Sequence, residues 1–205
     1  RIEAERLHHQ VNRLVSDGRL SEPPTFFEAT TAMALSWFRH AGVELALLEV
    51  GLGGRFDATN IVTPVAGVIT PITLEHCQYL GDTVEAIARE KAGIVKSGMV
   101  VVTTETTPTV VALLEQACHQ NGARLVQATQ GTTVEISSTE NPRAIQVTTP
   151  TRTYPPFEMG LSGAHQISNG IGAIRLLEEL PELGIPVDID AVVKGLSTVV
   201  WPGRL

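Results

Sequence analysis

Apolar positions along the chain recur with two different periods, and the change of period marks the elements. In residues 2–16, Leu7, Val11 and Leu14 lie at helical spacing and Asp17-Gly18 closes the run, which predicts an amphipathic helix. Beyond the Pro-containing link SEPPT the spacing predicts a second helix over 26–41, ended by Gly42. Residues 43–50, VELALLEV, form an almost continuous apolar run interrupted by Glu44. Such a run predicts a parallel strand buried on both faces. The pattern returns at 65–70 (VAGVIT), at 99–103 (MVVVT) and more weakly at 124–126, with helical stretches over about 82–95 and 108–121. Strand, helix, strand, helix at this spacing predicts a parallel sheet with right-handed crossovers.

Residues 131–160 change character. They are rich in Thr, Ser and Pro and alternate in short bursts, TVEISS, AIQVTT and RTYPPF, which predicts a small antiparallel unit. A helix over about 164–180 follows, and DIDAVVKGL gives another. The expected fold class is α/β, a mostly parallel sheet flanked by helices with a small antiparallel β subregion.

Composition narrows the function. With 205 residues, 43% of them hydrophobic, the chain has material for a proper core. The net charge is −7 and Lys and Arg are scattered, which argues against a nucleic-acid or anionic-membrane surface but leaves room for a local phosphate site. The two cysteines, Cys77 and Cys118, have no metal-type spacing, as expected of a reduced, cytoplasmic protein. No apolar run reaches transmembrane length, and RIEAERLHHQ has no signal-peptide character.

Ligands of parallel α/β sheets sit beyond the carboxyl ends of the strands. Glu49 lies near the end of the 43–50 run, and Glu75 and His76 follow the end of the next. On neighbouring strands Glu49 and His76 would face one crevice and could hold a divalent cation, although magnesium prefers oxygen ligands. The plain alternative is a strand-end glutamate held by helix amides and a surface-loop histidine. The loop Gly51-Leu52-Gly53-Gly54 is not a dinucleotide fingerprint, because the third glycine would fall at Phe56, and the chain has no G-x-x-x-x-G-K-[ST]. It reads as a tight turn, with close backbone approach to a ligand as its second use.

Lys91 shares the apolar stripe of its helix with Val84, Ile87, Ala88 and Val95. A buried amine loses solvation and its pKa falls, and a neutral amine attacks a carbonyl or carbon dioxide where an ammonium does not. A snorkelling lysine is the alternative. His165, Gln166 and Asn169 occupy the first turns of a helix, where polar groups reach a ligand or simply cap. Arg204 follows a Pro-Gly turn and reads as a phosphate clamp or as a solvated charge.

The segments TFFEATTAMALSWF, LLEVGLGGRFDATN, ITLEHCQYLGDTVEAIAREKAGIVKSG, GAHQISNG and WPGRL together resemble the folylpolyglutamate synthase / dihydrofolate synthase family of the Mur ligase superfamily. The resemblance runs from residue 25 to the last, loosely over 105–160. It implies an ATP-dependent ligase that converts a carboxylate to an acyl phosphate, which the amine of L-glutamate then attacks. The acceptor is dihydropteroate, folate or a folylglutamate. By this resemblance Glu49 and His76 correspond to ligands of magnesium, as one or two ions, with potassium a further ion. Lys91 corresponds to a lysine carried as its carbamate. Asn169, His165 and Arg204 fall on the ATP side, and Thr25, Phe26, Phe27 and Glu28 with Phe56, Asp57 and Ala58 on the pterin side.

Two departures stand out. Glu75 occupies a place where the family has aspartate, and the family's ATP-gripping glycine loop and its C-terminal domain are both expected outside residues 1–205. The expectation is one central ATP-binding domain spanning 1–205, inactive alone, monomeric, with no nucleic-acid or membrane partner. The other readings are a different Mur-type amide ligase, of cell-wall precursor or cyanophycin type, and a non-enzymatic α/β binding module. TFFEATTAMA favours folate among the ligases.

Overall fold

The computed structural model describes residues 2–137 and 144–202. They fall into two compact units, Arg1–Val62 and Thr63–Leu205.

The first unit holds α1, Ile2–Ser16, and α2, Phe26–Ala41. Helix α2 begins with a capping box: the Thr25 side chain accepts from the Glu28 amide, and the Glu28 carboxylate accepts from the Thr25 amide at 2.7 Å. It stops at Gly42, whose φ of 65° a side chain would resist. The expected strand at 43–50 is absent. A strand exists only as part of a ladder, and no described strand pairs with this segment. Its side chains are correspondingly open, with Leu47 94% exposed.

The second unit is layered. Strands β1, Ala66–Ile69, β2, Val100–Thr103, and β3, Arg124–Gln127, form a parallel sheet in sequential order. Alternation along each strand feeds two cores. Ile69, Val101 and Leu125 face α4, Val84–Lys91, and α5, Pro108–Asn121, through Ile87, Ala88, Val110 and Leu114. Here α3 is the single turn Cys77–Leu80. Val100, Val102 and Val126 face Ile171 and Leu176 of α6, Ala164–Glu179. Both crossover helices thus cover one face and α6 the other, which explains why β2 is buried at every position. A fully buried valine contributes about 1.5–3 kcal/mol relative to exposure, well above the ~0–1 kcal/mol of a surface ion pair. The sheet therefore dominates the stability of this unit.

The expected antiparallel region is present as β4, Thr133–Ile136, β5, Ala144–Thr148, and β6, Phe157–Glu158. Its core of Ile145, Val147, Tyr154 and Phe157 includes Ile174 of α6 and Val192 of α7, Ile189–Thr198. Helix α6 is a wall shared by both sheets. The expected helix over 82–95 is shorter, α4 followed by a 3-10 turn at Ala92–Ile94. Among the described residues no helix is long and apolar enough to cross a membrane.

Candidate functional site

Two contacts fix the direction of α6. Gly172 lies against Thr104, just past the end of β2, where an added Cβ would come within 3.1 Å of its methyl. Seven residues further along the helix, Glu179 accepts from Arg124 at the start of β3, at 2.6 Å. Helix α6 thus runs antiparallel to the strands, and its N-terminus projects at their carboxyl edge. There Gln166 joins two neighbours, its Nε2 lying 3.0 Å from His165 Nε2 and its carbonyl accepting from Asn169 Nδ2 at 3.3 Å. His165 and Asn169 are exposed.

The loop after β1 leads from the same edge. His76 is the one non-glycine residue with positive φ among those described, at 51°. A histidine there stores about 1–3 kcal/mol of backbone strain. Next to it, Glu75 Oε1 accepts from Lys91 Nζ at 2.8 Å. The Lys91 bond and charge hold the Glu75 carboxyl below its ordinary value against a smaller effect of burial, and His76 adds to the lowering. Lys91 was expected to point with the apolar stripe. Ile87 and Ala88 are fully buried, but the Lys91 side chain keeps 24% of its surface, because the last turn of α4 turns its amine toward this carboxylate. Glu75, His76 and Lys91 therefore come together.

In the first unit Glu49 is exposed, in the segment without a strand partner. The glycine loop is held from within. Asp57 Oδ2 accepts from the amides of Gly51 and Leu52, both at 2.9 Å, and Oδ1 accepts from the Thr59 amide at 2.9 Å and from its hydroxyl. Burial pushes the Asp57 carboxyl up, but the Thr59, Leu52 and Gly51 donors together hold it below the ordinary value. GLGG is thus a turn whose first amides are claimed by the protein's own carboxylate. The Phe27 ring packs on Gly51, where an added Cβ would meet it at 2.7 Å. This joins the 25–28 segment to the loop. Phe26 and Phe56 are 84% and 87% exposed, while Ala58 opens the short 3-10 turn Ala58–Ile61. Thr25 and Glu28 are engaged in the helix cap. Arg204 lies outside the described residues.

Sequence reasoning passed over Glu105. It is 4% exposed, accepting from the Ile72 amide on Oε2 and from the Thr106 and Thr107 amides on Oε1, each at 2.8 Å. An acidic residue two positions beyond the valine-rich strand VVVT was the available signal.

Polar and titratable side chains gathered at the carboxyl edge of a helix-covered parallel sheet define an α/β domain of the ligand-binding class. Comparison with known proteins sharpens this. The Mur ligase middle domain matches residues 11–177, and the chain belongs to that family. It is 36% identical over 186 residues to the dihydrofolate synthase/folylpolyglutamate synthase of Bacillus subtilis, covering 89% of this chain and 43% of that protein. It is 38% identical over 185 residues to a probable bifunctional folylpolyglutamate synthase/dihydropteroate synthase of Halobacterium salinarum, covering 88% of this chain and 22% of that protein. Among solved structures, Mycobacterium tuberculosis folylpolyglutamate synthase complexed with ADP and AMPPCP superimposes with a TM-score of 0.88 at 31% identity, covering all of this chain and 47% of that one. The chain thus spans less than half the length of these relatives.

Proposed function

We propose that this chain is the nucleotide- and metal-handling part of an ATP-dependent carboxylate–amine ligase that joins L-glutamate to dihydropteroate, folate or a folylglutamate. The family and the names of its relatives support the ligase class. The observation that carries the chemistry is the meeting of Lys91, Glu75 and His76 beyond the end of β1. In the reaction an oxygen of the acceptor carboxylate attacks the γ-phosphorus of ATP and ADP departs. The glutamate nitrogen then attacks the acyl carbon, loses a proton, and phosphate leaves.

No group of three or more His, Cys, Asp or Glu suited to a metal ion occurs among the described residues. With Lys91 as an ammonium, the cluster offers one imidazole and one carboxylate already paired to a cation, a poor set for magnesium. The set fits once Lys91 is a carbamate. Neutral Nζ adds to the carbon of carbon dioxide, an N–C bond forms, and the nitrogen's proton passes to solvent. A cation becomes an anion with two oxygens beside His76, and Glu49 is proposed as a magnesium ligand on the family resemblance alone. Bound there, magnesium would neutralise charge on the phosphates. Asn169, His165 and Arg204 would contact ATP, and the exposed rings of Phe26 and Phe56 would receive a pterin beside Phe27, Asp57, Ala58, Thr25 and Glu28. Potassium, a monomeric state and a cytoplasmic location complete the reading.

Intact mass spectrometry in bicarbonate and magnesium tests the reading. The expected result is one added carbon dioxide at neutral pH, lost on acidification and absent from Lys91→Arg. The same adduct in Lys91→Arg, or none in the parent protein, overturns the carbamate. Phosphate release by the enzyme that carries this chain, if indifferent to glutamate, overturns the ligase.

A further inference from the structure

The end of β1 is tied to the end of β2 by a small buried relay. The Thr103 hydroxyl, with no exposed surface, donates to the Ile69 carbonyl at 2.8 Å and accepts from the Glu105 amide at 3.0 Å. The Glu105 carboxylate then reaches back across the strand ends. One oxygen takes the Ile72 amide and the other takes the amides of Thr106 and Thr107, at the entry to α5. Three of its partners are backbone amides, with the Thr107 side chain a further donor, so the carboxylate chiefly fixes the chain path. Ile72 lies three residues before Glu75 and four before His76. The loop thus leaves its last anchored amide shortly before the strained turn at His76.

A buried carboxylate is tolerated only when its lone pairs are filled by donors. Three amides from two segments do this at Glu105, and the result is directional. Glutamine has the same length but one acceptor oxygen, so its amide NH2 would face either Ile72 or the Thr106–Thr107 pair, donor against donor. Aspartate keeps both oxygens but is one methylene short of the span.

We propose that Glu105 is a positioning residue of the Lys91–His76 site, clamping the loop that carries Glu75 and His76 to the carboxyl edge of the sheet. The proposal rests on the metal-handling reading given above. Loss of a partner that orients a metal ligand lowers metal affinity by about 10–100-fold, and Glu105 acts in this way through the backbone.

The experiment measures Mn2+ affinity by electron paramagnetic resonance, with bicarbonate present, together with amide hydrogen exchange, in the parent chain, Glu105→Gln, Glu105→Asp and His76→Ala. In both Glu105 variants the amide of Ile72 and those of residues 73–76 are expected to exchange about tenfold faster or more, with Val101 and Val102 in β2 unchanged. Mn2+ affinity is expected to fall about 10–100-fold in both. If Glu105→Gln fails to fold, Glu105→Asp carries the test. Parent-like Mn2+ affinity in a folded Glu105 variant, or loosening spread evenly through β2 and α5, overturns the proposal alone. No Mn2+ binding by the parent chain, or undiminished binding by His76→Ala, overturns the metal reading and the proposal with it.

Discussion

Asp57 shows how one side chain decides between two readings of a motif. The glycine-rich segment at 51–54 has the look of a phosphate cradle, yet the amides of Gly51 and Leu52 both point at the Asp57 carboxylate. Replacing Asp57 with Asn puts an NH2 group opposite amide donors on one side or the other. Leaving a donor unmet costs about 1–3 kcal/mol, with the lower end expected for this half-buried loop. Chemical denaturation should show that loss, and limited proteolysis should show new cleavage at 51–56. A variant with parent stability would mean that Asp57 is free to serve a ligand instead.

At the scale of elements, Gly160 joins two segments that lie far apart in sequence. Its amide donates to the Leu196 carbonyl at 2.9 Å, and an added Cβ would lie 2.6 Å from Val199 O and 2.8 Å from Ser197 O. These are backbone atoms, so they move only if the end of α7 moves. Gly160→Ala should therefore destabilise by about 1–3 kcal/mol, and calorimetry should record a lower Tm. It should also displace the entry to α6, read as a changed NMR environment for His165, while leaving α4 and α5 untouched. Most elements were legible in the sequence because their periodicity is local: Leu7, Val11 and Leu14 announce α1, and the valines of 100–102 announce β2. VELALLEV misled for the opposite reason, since a strand depends on a neighbour that its own letters do not encode. Glu75 and Lys91, sixteen residues apart, could be placed on their elements, but nothing in the letters said that they would pair. Glu105 escaped notice because its partners are mostly backbone amides, which the letters of a sequence do not single out.

At the scale of the whole molecule, titration acts at both ends of the pH range. Burial raises the Glu105 carboxyl, but the Ile72 amide, the amide and side chain of Thr107 and the Thr106 amide outweigh it and leave the group below its ordinary 4.5. Asp57 lies below its ordinary 3.8. A carboxylate that binds its proton less tightly when folded contributes stability above its ordinary value, and loses it as pH falls through the folded value. Acid unfolding should therefore begin below about pH 4.5, with Asp57 acting in the first unit and Glu105 in the second. Tyr154 works in the other direction. Burial first, and then the charge and hydrogen bond of Glu178, raise it from 10.0 to about 12. The folded state keeps that proton more tightly, so stability should fall as pH rises from about 10 to about 12. Denaturant titrations across pH should show this alkaline slope in the parent protein and a flatter one in Tyr154→Phe. Equal slopes would mean that burial of the ring leaves the phenol untouched.

The way the helices begin has an electrical consequence. An α-helix carries a positive pole at its first turn, which attracts whatever anion lies nearest. Thr25, Thr83 and Asp188 occupy that pole in α2, α4 and α7, and Glu105 takes the amides of Thr106 and Thr107 at the entry to α5. Helix α6 starts at Gly163 without a side-chain cap, as α5 does at Thr107, and among the described residues no carboxylate stands at its entry as Glu105 does at that of α5. With glycine at its N-cap, α6 keeps an open positive end beside His165, where a polyanionic visitor would be drawn.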